Sequence, residues 1–115
     1  MSSELHGNAL TSASKDAKQL YLDLCAALKP LGPFREEAKK TSVHLARQSA
    51  FVGVQFGKAY LRITLKSDAP IESARIVKTE KISRNRWHCE MKITTKTDID
   101  REMLAWAKRA YDLSD

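Results

Sequence analysis

The chain has 115 residues, 43% hydrophobic and 30% charged, and its 20 Lys plus Arg against 14 Asp plus Glu leave a net charge of +6. That length suits one domain with a single core, and that composition excludes a disordered chain. Cys25 and Cys89 form neither a CxxC pair nor a metal-ligand spacing, so no disulfide framework and no zinc site is expected.

Residues 1–7 carry an acid and no apolar run, so no signal peptide is expected. The longest apolar run, residues 24–28, is five residues against the roughly 18 that suggest a membrane span, so no membrane partner is expected either. A cytoplasmic, reduced protein is the resulting expectation. Residues 1–13, rich in Ser and without periodicity, read as a flexible arm before a single domain over residues 14–115.

From Ser14 onward the spacing of Ala17, Leu20, Tyr21, Leu24 and Leu28 predicts an amphipathic helix that ends at Lys29-Pro30. Gly32-Pro33 then predicts a turn and a short helix over residues 34–39, with Glu36 and Glu37 near the positive end of its dipole. The period changes to two from Thr41. Val43 and Leu45 mark one strand, and Ala50, Val52, Val54 and Phe56 a second. After a turn at Gly57-Lys58, Leu61, Ile63 and Leu65 alternate with Tyr60, Arg62, Thr64 and Lys66, a hairpin pattern. Residues 71–77 form a weaker strand candidate. In the last strand Trp87, Cys89, Met91 and Ile93 share one face, and Arg86, His88, Glu90 and Lys92 the other. A closing helix buries Ile99, Met103, Trp106, Ala107 and Ala110, with Thr97 as its cap and Asp100 completing an acidic capping box. Trp87 and Trp106 are assigned to the core. The fold class is α+β: a two-layer domain with a mainly antiparallel sheet of about five strands and both long helices on one face.

The order of motifs resembles a known family. Leu20-Tyr21-Leu22-Asp23-Leu24 through Leu31-Gly32-Pro33, Lys40-Thr41-Ser42-Val43, Ser49-Ala50-Phe51-Val52-Gly53-Val54, Tyr60-Leu61-Arg62-Ile63-Thr64-Leu65 and Ala105-Trp106-Ala107-Lys108-Arg109-Ala110-Tyr111 together resemble the bacterial family called domain of unknown function 5655. The resemblance covers about residues 17–113. It rests on core and turn residues, so it implies a fold and no chemistry, for a domain found both alone and attached to others. One departure is the turn before the last strand, glycine-rich in such relatives and Arg84-Asn85-Arg86 here.

Charge is distributed unevenly. Residues 39–96 hold thirteen basic and four acidic groups, a net +9, against −1 for residues 1–38 and −2 for residues 97–115. Strand parity puts Arg62, Lys66, Arg86 and Lys92 on the face away from the helices, with Lys58 and Arg84 at turns, and Phe51, Tyr60, His44 and His88 of the same parity. This candidate binding face suits a non-enzymatic binding module. A protein partner or a homodimer stands first, because exposed aromatic residues mark interfaces. Nucleic acid stands second, with cations on phosphates and Phe51 and Tyr60 stacking on bases. A metal-dependent nuclease stands third, on Glu90-Met91-Lys92 with Asp68, a pattern whose Glu-x-Lys spacing Asp16-Ala17-Lys18 and Glu37-Ala38-Lys39 repeat by chance. His88 and Cys89 point to opposite faces and cannot form a catalytic pair, and Cys25 reads as a buried inert thiol. No catalytic residue, cofactor or metal is assigned, and the four scattered glycines form no phosphate loop.

Overall fold

The computed structural model describes residues 9–115. The first part of the expected arm therefore lies outside the described residues. Its end is structured: α1 (Ala9–Ser12) is a single helical turn with Ala9 buried, tied by the Ala9 N–H to the Lys39 carbonyl at 2.9 Å. Helix α2 (Lys15–Leu28) follows, and the Ser14 hydroxyl accepts from the Ala17 N–H at 3.1 Å as its N-cap. Its buried stripe is Ala17, Leu20, Tyr21, Leu24, Cys25 and Leu28, as the periodicity predicts. A 3-10 turn (Lys29–Leu31) leads into Gly32, whose φ of 139° belongs to glycine alone and whose missing side chain leaves room for the Tyr111 ring.

The short helix expected over residues 34–39 is instead strand β1 (Arg35–Ala38), antiparallel to β2 (Val43–Ala46). The ladder satisfies backbone groups that a helix this short would leave half unpaired. Side-chain contacts follow the period of two: Arg35 and Glu37 pair at 3.0 Å on one face, while Glu36 on the other accepts the Tyr21 hydroxyl at 2.5 Å. Burial, and then that bond to a carboxylate, raise the Tyr21 pKa.

Strands β3 (Ala50–Phe56), β4 (Leu61–Ser67), β5 (Lys78–Ser83) and β6 (Arg86–Ile93) complete an antiparallel sheet of order β1-β2-β3-β4-β6-β5. There are six strands rather than about five, and the strand expected over residues 71–77 is a loop. That loop contributes Ile71 and Ile76 to the core margin, and pairing begins only where the Val77 N–H donates to the Glu90 carbonyl at 2.8 Å. Every residue of β5 is exposed, so it carries no apolar alternation by which it could be predicted. Its charged sequence protects an open sheet edge.

One irregularity has large consequences. Between β2 and β3 the register steps from Leu45↔Val52 to Ala46↔Ala50, so Phe51 is an extra residue opposite nothing. Such a bulge turns two successive side chains inward, and Phe51 and Val52 are both buried, at 1% exposure each.

Helix α3 (Arg101–Asp112) buries Met103, Ala107, Ala110 and Tyr111 against the same sheet face as α2. Its N-cap is Asp100, which accepts from the Met103 N–H at 3.0 Å, and not Thr97. The capping box lies one turn earlier, where Thr95 and Asp98 close a 3-10 turn (Lys96–Asp98). Trp87 and Trp106 are half-buried at the margin rather than central, with Lys81 over one ring and Arg75 over the other, each 5.7 Å from the centroid.

Arg75 also fastens the long loop to α3. It donates to the Asp100 carboxylate at 2.9 and 3.0 Å, to Glu102 at 3.1 Å and to the Asp98 carbonyl at 2.7 Å. The Met103 N–H and then Arg75 hold the Asp100 carboxyl below its usual range, and the Thr94 and Thr95 N–H groups do the same for Asp98. With both folded-state pKa values depressed, the unfolded chain binds more protons in acid. Their contribution is present above the usual carboxylate range and lost as pH falls below about 4. Thermal melts from pH 6 to 3 should show the midpoint falling in that window, modestly, because both groups face solvent. Asp100→Asn, which keeps a capping side chain without the titration, should flatten part of the fall.

Candidate functional site

The helices cover one face of the sheet, and the other face is open. Cross-strand register fixes what it presents. Arg62 on β4 stands opposite Lys92 on β6, Thr64 opposite Glu90, and Lys66 opposite His88, with Arg86 beyond. Lys58 and Arg84 occupy the turns at the two ends of these strands. From Lys92 to Arg86 is six residues of strand, about 20 Å. Five of the predicted site residues, Arg62, Lys66, Arg86, His88 and Lys92, thus form a band along two adjacent central strands.

One aromatic residue departs from the expected face, and the other stays on it. Phe51 is in the core, edge-on to Tyr111 at 5.1 Å and to Phe34 at 5.7 Å between centroids. Tyr60, at the β3–β4 turn, is half-buried, with its ring against Gly57 and under the Lys92 ammonium, 4.7 Å from the centroid. Of the two expected aromatic residues the face therefore keeps Tyr60 alone, beside its cations.

Its electrostatics are lopsided. Glu90 lies between Arg62 at 3.8 Å and Lys78 at 3.9 Å. Among the described residues Lys58, Lys66, Arg84, Arg86 and Lys92 have no carboxylate partner. Lys66 donates to the Ser49 hydroxyl at 2.6 Å, and partial burial together with the nearby Arg86 charge lowers its pKa. Neither cation pairs with a carboxylate among the described residues, so an incoming anion would meet uncompensated charge there.

Beside this band lies a groove of about 280 Å³ lined by His44, Gly53, Gln55, Thr64, Lys66 and Glu90. Gly53 forms its floor, opposite His44 on β2 and Thr64 on β4. Alternation locates the individual side chains, but the groove depends on pairing between strands distant in sequence, so residue spacing alone does not reveal it. The one signal is a glycine inside an otherwise regular strand. Lys78 escapes sequence reasoning because β5 lacks the alternation that marks a strand.

Other chemistries find less support in the arrangement. Of the carboxylates in the nuclease pattern, Asp68 pairs with Arg109 at 3.2 Å, and Glu90 is held by Arg62 and Lys78. His44 and His88 stand three strand spacings apart, about 14 Å, too far to share an ion. Among the described residues no group of three or more His, Cys, Asp or Glu is placed to hold a metal. Cys89 is fully buried, and burial pushes the Cys25 thiol up to about 11, away from the thiolate that reacts. No helix among the described residues is long and apolar enough to cross a membrane.

Neither the curated proteins nor the solved structures contain a match to the chain. The core and turn residues that shape this α+β fold are those that carry the family resemblance, and a family model confirms it across residues 7–114: the chain belongs to the domain of unknown function family DUF5655.

Proposed function

We propose that this domain is a nucleic-acid-binding module that contacts phosphates through its open sheet face. The observation that carries this reading is the band of Arg62, Lys66, Arg86 and Lys92 along β4 and β6, extended by Lys58 and Arg84, in which five of the six cations lack a carboxylate partner among the described residues. A repeating anion matches such a band, because a strand of nucleic acid carries one charge about every 3.4 Å. The burial of Phe51 takes one of the two aromatic residues away from both readings, so the charge of the face is what favours nucleic acid.

Fluorescence anisotropy with a labelled 12-nucleotide single strand tests the reading. About five phosphate contacts at roughly 0.7 per contact give a slope near −3.5 in log K against log salt. Affinity should therefore fall about 100-fold between 50 and 200 mM salt. Absence of binding at 50 mM salt would rule the reading out.

A protein partner remains the second reading, favoured by the exposure of Val77 and Ile82, 58% and 49%, at the two ends of β5. It predicts a mass by light scattering that rises with concentration and returns to the monomer value in Ile82→Lys. A monomer at every concentration excludes the homodimer.

A further inference from the structure

Glycine at position 53 has no structural explanation in the fold. It lies inside β3, where glycine weakens a strand because it adds no packing and loses the most conformational freedom. Its φ is not positive, and its own pairs with His44 and Thr64 are in regular register, the bulge lying two residues away at Phe51. A Cβ built there would meet the Thr64 Cβ at 3.8 Å and the His44 Cδ2 at 3.9 Å, ordinary contact distances. Tight turn, bulge and close approach of neighbouring chain are thereby eliminated as reasons, and the remaining use of a strand glycine is close approach of a ligand.

What approaches is constrained by the groove. Its volume of about 280 Å³ lies just under the range of roughly 300–1,000 Å³ typical of small-molecule pockets, so it admits one ring system and little more. One wall carries the His44 ring, able to stack on a planar group. The other carries Thr64 and Glu90, a hydroxyl and a carboxylate able to accept from an exocyclic amino group. The rim carries Lys66, with Arg86 nearby, for an attached phosphate.

We infer that the groove over Gly53 seats one unpaired base of a single-stranded nucleic acid whose backbone runs along the β4–β6 cations. This rests on the nucleic-acid reading above and sharpens it. In a duplex the bases are stacked inside and only phosphates reach a flat face, whereas an unpaired base can leave the strand and enter a groove. The protein should therefore prefer single strands.

The test compares a 12-nucleotide single-stranded DNA with the duplex of the same sequence, at 50 mM salt, on the full chain. The wild type should bind the single strand at least 10-fold more tightly. Gly53→Val, which fills the groove and leaves every cation in place, should weaken single-strand binding about 10-fold while duplex binding changes less than twofold. Gly53→Ala should be folded, melt at or above the wild-type temperature, and lose part of the preference. Equal affinity for single strand and duplex, or an undiminished single-strand affinity in Gly53→Val, overturns the groove while leaving the phosphate band standing. Failure of the wild type to bind either DNA overturns both. If Gly53→Ala itself unfolds the protein, glycine has a structural reason at this position and the inference also falls.

Discussion

Phe51→Ala should destabilise the protein by about 3–5 kcal/mol, the usual range for deleting a fully buried phenyl ring. Phe51 is 1% exposed and packs edge-on against both Phe34 and Tyr111. It thereby joins β3 to the end of α3 and to the segment before β1, and its removal leaves a cavity among three elements. Each aromatic contact adds about 0.5–1.5 kcal/mol beyond area burial. Since a small domain has only about 5–15 kcal/mol of stability, the loss is a large share of the total. Urea titration should show a lower midpoint at unchanged slope. Phe51→Leu, which keeps much of the volume, should lose less and remain folded for binding measurements. Its affinity for oligonucleotides should change less than twofold. A Phe51 on the open face would behave in the opposite way, costing within about 0.5 kcal/mol and weakening the complex.

The second large effect concerns binding. Replacing Lys66 and Arg86 together by alanine should reduce single-strand affinity about 100-fold at 50 mM salt, roughly tenfold for each phosphate-binding cation removed. The salt slope should become shallower by about 1.4. Stability should not fall with it. In the free protein Lys66 carries a pKa lowered by burial and by the Arg86 charge, so removing the pair relieves repulsion. A melting temperature at or above that of the wild type, with affinity reduced about 100-fold, separates a binding role from a structural one. A matched fall in both would assign the two cations to the fold.

The difference between what can and cannot be read from residue order has a physical cause in each instance. Strands β4 and β6 lie at the centre of the sheet with one face covered, so burial imposes alternation on them and that alternation places their outward cations. Strands β1 and β5 are the edges, where charged sequences serve against unwanted pairing, and there polarity disguises β1 as a helix and leaves β5 unassigned, with a strand expected over residues 71–77 just before it. Parity puts Phe51 on the wrong face because a single extra residue in the β2–β3 ladder inverts it, and no local pattern announces a bulge. Asp100 displaces Thr97 as the cap because a 3-10 turn intervenes before α3. The groove is the least legible feature, since His44, Gly53, Thr64 and Glu90 meet only through the pairing of four strands.

The most direct measurement is amide chemical-shift mapping of the isotope-labelled protein during titration with a 12-nucleotide single-stranded DNA at low salt. Perturbations should concentrate on Gly53, Arg62, Thr64, Lys66, Arg86, His88 and Lys92, with α2 and α3 silent. Perturbations confined to the helices, or none at saturating DNA, would contradict binding through the open sheet face.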